Sequence, residues 1–318
     1  MLVHDLPSEP LALPEGERRS AVFFSGDSLR HHRLGYLLQR RFPGLLKAWW
    51  IYAPKRSRRL QDKLTKAWRL VANSQTGKEA IGLLRNGDLA GLGQIAQRRL
   101  RKGDLGRLRR TLSAYATPSN YAQVEREMFG DEVEALRAEA SMHPVYIESP
   151  NKGAQVDELA AIDPYLIVTF GGPLLSGRVL GKARGLAINQ HAGWSPALKG
   201  ASTTETAIYH RQLGWVGNTV HVMDTHADSG AILRRSTAAL HPDDDLAHCF
   251  FAVCAVGSKM MLEVIDAALH DETLTTFPQP RGGSTVLNID YTPAKRRAIE
   301  RDIASGWLSD ALDIVKSF

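Results

Sequence analysis

The chain has 318 residues, enough for one sizeable α/β domain with additions. Its 43% apolar and 23% charged residues belong to a globular fold and exclude a disordered or collagen-like chain, and no apolar run approaches the roughly 18 residues of a membrane span. The net charge of +6 is uneven, because residues 55–110 hold sixteen Lys/Arg against four Asp/Glu.

The first stretch, 1–20, is acidic and proline-bearing where a secretory signal would be basic and then apolar, so it reads as a flexible arm on a cytoplasmic chain. Residues 21–24 (AVFF) form a short apolar run closed by Ser25-Gly26-Asp27-Ser28, and helical spacing follows over 29–41. Strand, tight turn and helix open a doubly wound α/β sheet, and 48–53 (AWWIYA) reads as its second strand. Residues 21–54 are therefore the start of a Rossmann-like domain. Over 55–140 the pattern becomes helical and basic without a strand, which predicts a helical insertion. Its surface suits an oligomer or lid contact, a phosphorylated substrate, or nucleic acid, with the run Arg98-Arg99-Leu100-Arg101-Lys102 the densest. Strand signals return at 143–149, 165–170, 186–188, 218–223 and 231–234, and a long apolar helix spans 246–269. Residues 141–272 thus read as the core of the sheet domain. The tail, 273–318, predicts a hairpin around Gly282-Gly283 and two helical pieces. Cys249 and Cys254 lie five apart in the apolar helix and read as buried, reduced thiols; no Cys/His spacing suggests a metal.

Asn189 and His191 stand at the end of an apolar strand, where alternation puts both side chains on one side. Some forty residues later Asp228-Ser229-Gly230 follows another strand. An amide, an imidazole that titrates near neutrality and a carboxylate to steer it suit acyl transfer through a tetrahedral intermediate. Taken singly, each motif is more often an ordinary turn. His31-His32 on the first helix read as surface histidines, with a lesser claim to face a substrate.

Residues 186–200 (LAINQHAGWSPALKG) with 217–233 (GNTVHVMDTHADSGAIL) resemble the formyltransferase family, whose pattern is Asn-x-His, a loop with proline, Lys or Arg before Gly, a strand, and Asp-x-Gly. Residues 163–175 (DPYLIVTFGGPLL) resemble the family's folate-lining strand and loop. The resemblance covers roughly 143–270. It implies a Rossmann-like formyltransferase fold and 10-formyltetrahydrofolate as formyl donor, with no metal. Asn189 and protonated His191 would hydrogen-bond the oxyanion and Asp228 would orient His191. Phe170, Gly171, Gly172, Pro173, Leu174, Leu175, Met223, Asp224 and Thr225 would hold the folate. The expected substrate-binding residues are Gly26, Asp27 and Ser28 at a helix N-terminus, with Trp194 and Lys199. In one respect the chain departs from the family: Gly193-Trp194-Ser195-Pro196 replaces the usual Ser-Leu-Leu-Pro, which leaves the substrate open.

The expected acceptor is a small-molecule amine, because the tail (284–312) resembles the sugar N-formyltransferases and is too short for the barrel of the methionyl-tRNA enzymes. A nucleotide-linked amino sugar leads; hydroxyornithine-like amines and glycinamide ribonucleotide are alternatives, and a nucleic-acid partner is disfavoured. A homo-oligomer is compatible with the basic insertion. The competing class is a non-catalytic ligand sensor or RNA-binding module built on the same fold.

Overall fold

The computed structural model describes residues 6–53, 120–271, 273–280, 284–287 and 290–316. In chain order the elements are β1 (Glu9–Ala12), β2 (Ala21–Ser25), α1 (Leu29–Arg41), β3 (Leu46–Tyr52), α2 (Tyr121–Glu139), β4 (Val145–Ile147), α3 (Gly153–Ile162) and β5 (Leu166–Phe170). They continue with α4 (Gly177–Leu180), β6 (Leu186–His191), β7 (Leu198–Gly200), α5 (Thr203–Tyr209), β8 (Gly217–Val222), β9 (Ile232–Thr237) and α6 (Leu246–His270). The last are β10 (Thr273–Thr276), β11 (Ser284–Val286), α7 (Pro293–Ala304) and α8 (Trp307–Lys316).

Seven strands form one sheet in the order β4-β3-β2-β5-β6-β8-β9. The pairs from β4 to β6 are parallel, whereas β8 and β9 run antiparallel to their neighbours. β2 and β5 are apolar at almost every position because helices cover both faces of a parallel sheet. Alternation divides their side chains. Phe23, Leu166, Val168 and Phe170 join a core under α1, α2 and α6, while Val22, Phe24 and Ile167 join another under α3 and α4. This doubly wound sheet is the fold class expected from the sequence.

The long helix α6 starts at Asp245, whose side chain accepts a hydrogen bond from the His248 amide. By length and composition it could cross a bilayer, contrary to the expectation that no run approaches a span. In the fold it buries Phe251, Met261 and Ile265 against the sheet, and Cys249 and Cys254 are free and buried as expected. Burial pushes the Cys254 thiol up to about 12, so it stays protonated.

Three expectations need correction. Residues 9–12 are not a free arm: β1 pairs antiparallel with β10, and Leu6 and Leu13 are buried. α2 was placed within the helical insertion, but Val124, Phe129, Val133 and Leu136 recur at helical spacing and belong to the main core with α1. Residues 55–119, including the run from Arg98 to Lys102, lie outside the described residues. Gly282 and Gly283 lie outside them too, but the strands on either side do not form a hairpin with each other. β10 pairs with β1, and β11 pairs in parallel with β7.

Candidate active site

The chain order reverses between β2 and β5. From β2 the chain runs outward to β3 and β4, then returns across β2 to enter β5 and proceeds to β6. Such a switch point opens a crevice at the carboxyl ends of the strands, the usual ligand position in open α/β sheets. A cavity of about 390 Å³ lies there, lined by Phe170 to Leu174, by Asn189 and His191, and by Met223, Asp224 and Asp228.

Pleating explains the meeting of Asn189 and His191. Gln190 between them points the other way and donates to the Cys254 carbonyl on α6. Asp228 reaches both from the loop after β8. Asn189 Nδ2 donates to Asp228 Oδ1 at 3.2 Å, and His191 Nδ1 lies 3.4 Å from Oδ2. The Gly200 amide donates to Oδ2 at 2.9 Å. Asp228 adopts a left-handed backbone (φ 51°), which Asp tolerates better than most residues. Gln279 Nε2 fixes this turn by donating to the carbonyls of Asp228 and Gly230 at 3.0 and 2.7 Å. Thr169 Oγ1 donates to Asn189 Oδ1 at 2.7 Å, which settles the amide's orientation: oxygen toward Thr169, nitrogen toward Asp228.

A second imidazole completes the group. His221 is buried, with Nδ1 2.8 Å from the Val222 carbonyl and Nε2 3.1 Å from Asn189 Nδ2. His221 Nε2 also stands 3.4 Å from Asp228 Oδ1. Alternation along β8 could have placed His221 on the side of Asn189. Thr169 and Gln279 carry no sequence signal, because their roles depend on a neighbouring strand and on the distant tail.

Burial alone would raise the Asp228 pKa, yet His191, His221 and the Gly200 amide together hold its carboxyl well below the usual range. Asp228 is an anion throughout the physiological range. For His191 burial dominates and lowers the pKa, opposed by the Asp228 charge. The expectation of a protonated His191 is therefore corrected: the resting ring is neutral. It carries one proton but faces two acceptors, the Leu198 carbonyl (3.2 Å from Nε2) and Asp228. A second proton, if taken up, would find an oxygen already in place.

Of the residues expected to hold folate, Phe170, Gly171, Gly172, Pro173, Leu174, Met223 and Asp224 line the cavity. Leu174 is an exposed apolar side chain there, and a Cβ at Gly172 would meet nothing within 4 Å. Leu175 is instead buried in the core beneath α3 and α4, and Thr225 does not line the cavity. Gly26, Asp27 and Ser28 do not line it either; Asp27 and Ser28 line a separate cavity of about 310 Å³ with Leu29, His32 and Glu125. The Gly26 amide donates to the Phe170 carbonyl, and Asp27 pairs with His32 at 3.0 Å. Glu125 of α2 already supplies a carboxylate at the start of α1, accepting from the Arg30 amide at 3.1 Å and from its guanidinium at 2.7 Å. Trp194 is buried beneath Arg235, whose guanidinium carbon lies 4.0 Å from the ring centroid, and Lys199 is buried outside the cavity lining.

Residues 109–265 match the family model described as formyl transferase. The methionyl-tRNA formyltransferase of Burkholderia multivorans is 32% identical over 138 residues, 43% of this chain and 42% of the relative; that of Burkholderia orbicola is 31% identical over the same shares. The chain thus spans less than half the length of these relatives. Among solved structures, a 4-N formyltransferase from Francisella tularensis is 12% identical with a TM-score of 0.47, over 86% of this chain and 79% of that one. A phosphoribosylglycinamide formyltransferase from Streptococcus pneumoniae is 14% identical with a TM-score of 0.43, over 79% and 98%. The likeness rests on the sequence match, which contains every member of the Asn189, His191 and Asp228 group: residues 109–265, just under half of this chain, are similar to the formyl transferase family.

Proposed function

We propose that this protein transfers the formyl group of 10-formyltetrahydrofolate to the amine of a small molecule. The observation that carries the reading is the convergence of Asn189, His191 and the ionised Asp228 on one cavity, inside the segment that matches the family. A cavity of about 390 Å³ is of the size that takes a small ligand. Gly171 to Leu174 and Met223 to Asp224 would hold the donor's ring at its rim.

The chemistry follows from the hydrogen bonds. Asn189 Nδ2 donates to Asp228 at rest; with substrate present it would turn that donor to the formyl oxygen, whose negative charge grows as the amine attacks. Thr169, fixed on Asn189 Oδ1, keeps the amide nitrogen aimed into the cavity. His191 is neutral at rest and gains its second proton as the attacking amine sheds one, with Asp228 stabilising the resulting imidazolium. That proton then passes to the folate nitrogen as its bond to the formyl carbon breaks, releasing tetrahydrofolate. Together an oxyanion donor and a positioned acid–base group are worth on the order of 10²–10⁴-fold each.

For the acceptor we propose a nucleotide-linked amino sugar, supported by the likeness of the 284–312 tail to that branch. A second reading, methionyl-tRNA, is favoured by the names of the curated relatives. The test is absorbance-monitored release of tetrahydrofolate from the donor with nucleotide-linked amino sugars, glycinamide ribonucleotide, hydroxyornithine and methionyl-tRNA. Turnover with an amino sugar supports the proposal, and turnover with methionyl-tRNA alone replaces its acceptor. Absence of folate binding would leave a non-catalytic binding module.

A further inference from the structure

His31 is not the surface residue that its place on α1 suggested. It is 6% exposed, and its ring lines the same cavity as Asn189 and Asp228, at the reversal point between β2 and β5. The surrounding backbone is shaped to admit it. A Cβ at Gly26, just after β2, would stand 2.5 Å from the ring, and one at Gly171, just after β5, 2.6 Å from Nε2. No side chain fits at either position while the imidazole is there. The Phe170 ring meets it edge-on, with centroids 4.6 Å apart. Among the described residues neither ring nitrogen of His31 has a hydrogen-bond partner: Nδ1 is sealed off toward Gly26, while Nε2 lies toward Gly171, which lines the cavity. An unpaired ring nitrogen at a cavity wall costs free energy that a ligand's hydrogen bond can recover.

The other two imidazoles of the cavity differ. His191 faces the Leu198 carbonyl and Asp228, and His221 faces the Val222 carbonyl and Asn189. Burial, with Arg30 and His32 on the same helix, holds the His31 pKa well below its ordinary value, so its ring is a neutral group able to accept. The walls of the cavity also divide the labour. Residues 170–174 and 223–224 form the side argued above to hold the donor. Arg30, His31 and Phe250 line the part contributed by α1 and α6, which leaves that side for the acceptor.

We propose that His31 is the acceptor-binding residue of this site, its neutral imidazole accepting a hydrogen bond from the N–H of the incoming amine. This rests on the formyl-transfer reading and adds the acceptor subsite to it. A neutral acceptor in a dry crevice favours the uncharged amine, the form whose lone pair can attack, and the bond would aim that lone pair across the cavity toward the carbon held at Asn189.

The test compares His31→Leu, which fills the space without accepting a hydrogen bond, with His31→Gln, which restores an acceptor. The substrate is the amine that turns over in the panel, and folinic acid is the unreactive probe of the donor side. Loss of one buried hydrogen bond predicts roughly a tenfold rise in acceptor KM for His31→Leu, with a smaller change in folinic acid affinity from the packing on Phe170 and Gly171, and partial recovery in His31→Gln. An unchanged acceptor KM, or an equal loss of folinic acid binding, would overturn the assignment while leaving the formyl-transfer reading intact. A wild-type protein that turns over no amine would instead remove that reading, and this inference with it. Where the Leu variant fails to fold, the imidazole nitrogen resonances of wild-type protein bound to folinic acid give the answer. Adding the amine shifts the His31 signals if the contact forms, and static signals refute it.

Discussion

Gly193 tests whether the position of His191 matters, because it touches the imidazole without being part of the chemistry. An added Cβ at Gly193 would lie 2.3 Å from His191 Nε2 and 2.6 Å from Thr203 Oγ1. Ordinary contacts begin about 1 Å farther out, so in Gly193→Ala the ring or the loop must retreat by roughly that distance. The easiest retreat for the ring breaks its 3.2 Å hydrogen bond to the Leu198 carbonyl and alters its approach to Asp228. Overpacking of this kind costs about 1–3 kcal/mol of stability. A displacement of about 1 Å in a catalytic group costs on the order of 10²-fold in rate. Gly214→Ala is the matched control, since nothing lies within 4 Å of its added Cβ. The assay is kcat/KM for formyl transfer, with the thermal midpoint recorded for each variant. The expected outcome is a folded Gly193→Ala protein with about a hundredfold lower kcat/KM and a Gly214→Ala protein like wild type. A Gly193→Ala enzyme within threefold of wild type would refute the reasoning about His191.

Two further outcomes follow. Asp228→Asn keeps a group able to accept from the Gly200 amide but removes the charge that would hold a second proton on His191, so kcat is expected to fall by about 10²-fold or more while the protein remains folded; near-normal turnover would contradict the role. Because the folded-state pKa of His31 is depressed, the unfolded chain binds that proton first, and the stability from a neutral His31 is present above about pH 6.5 and lost as pH falls below it. Urea unfolding of wild type and His31→Leu from pH 7 to pH 5 should show wild type losing up to about 1.4 kcal/mol more per pH unit below 6.5, and parallel curves would show that His31 is not held neutral.

The parts legible in the sequence were those set by local periodicity. Apolar runs at 21–25 and 166–170 announced central parallel strands, and the pleat required Asn189 and His191 to share a side. What escaped was decided by partners far along the chain. β1, with the sequence EPLA, has little strand character of its own and exists because β10 pairs with it. β11 is likewise fixed by β7 rather than by a hairpin. His31 looked exposed because half of a surface helix usually is; only the approach of Gly26 and Gly171 encloses it. Trp194 and Lys199 stood beside the motif, yet Trp194 in the loop after β6 and Lys199 in β7 are both buried outside the cavity lining. Glu125 shows the same limit in the other direction, since a helix start that looked open to phosphate is filled by a carboxylate from a helix some ninety residues later.

The central claim is that formyl leaves a folate and reaches an amine at the Asn189, His191 and Asp228 group. Its most direct test is to supply 10-formyltetrahydrofolate carrying a carbon-13 label in the formyl group and to follow that label by mass spectrometry into the acceptor, with wild type and Asn189→Ala side by side. The account predicts labelled formamide product and stoichiometric tetrahydrofolate with wild type, and at least a hundredfold slower labelling with Asn189→Ala. Equal labelling by the two proteins, or folate bound tightly with no label passed to any amine, would contradict it.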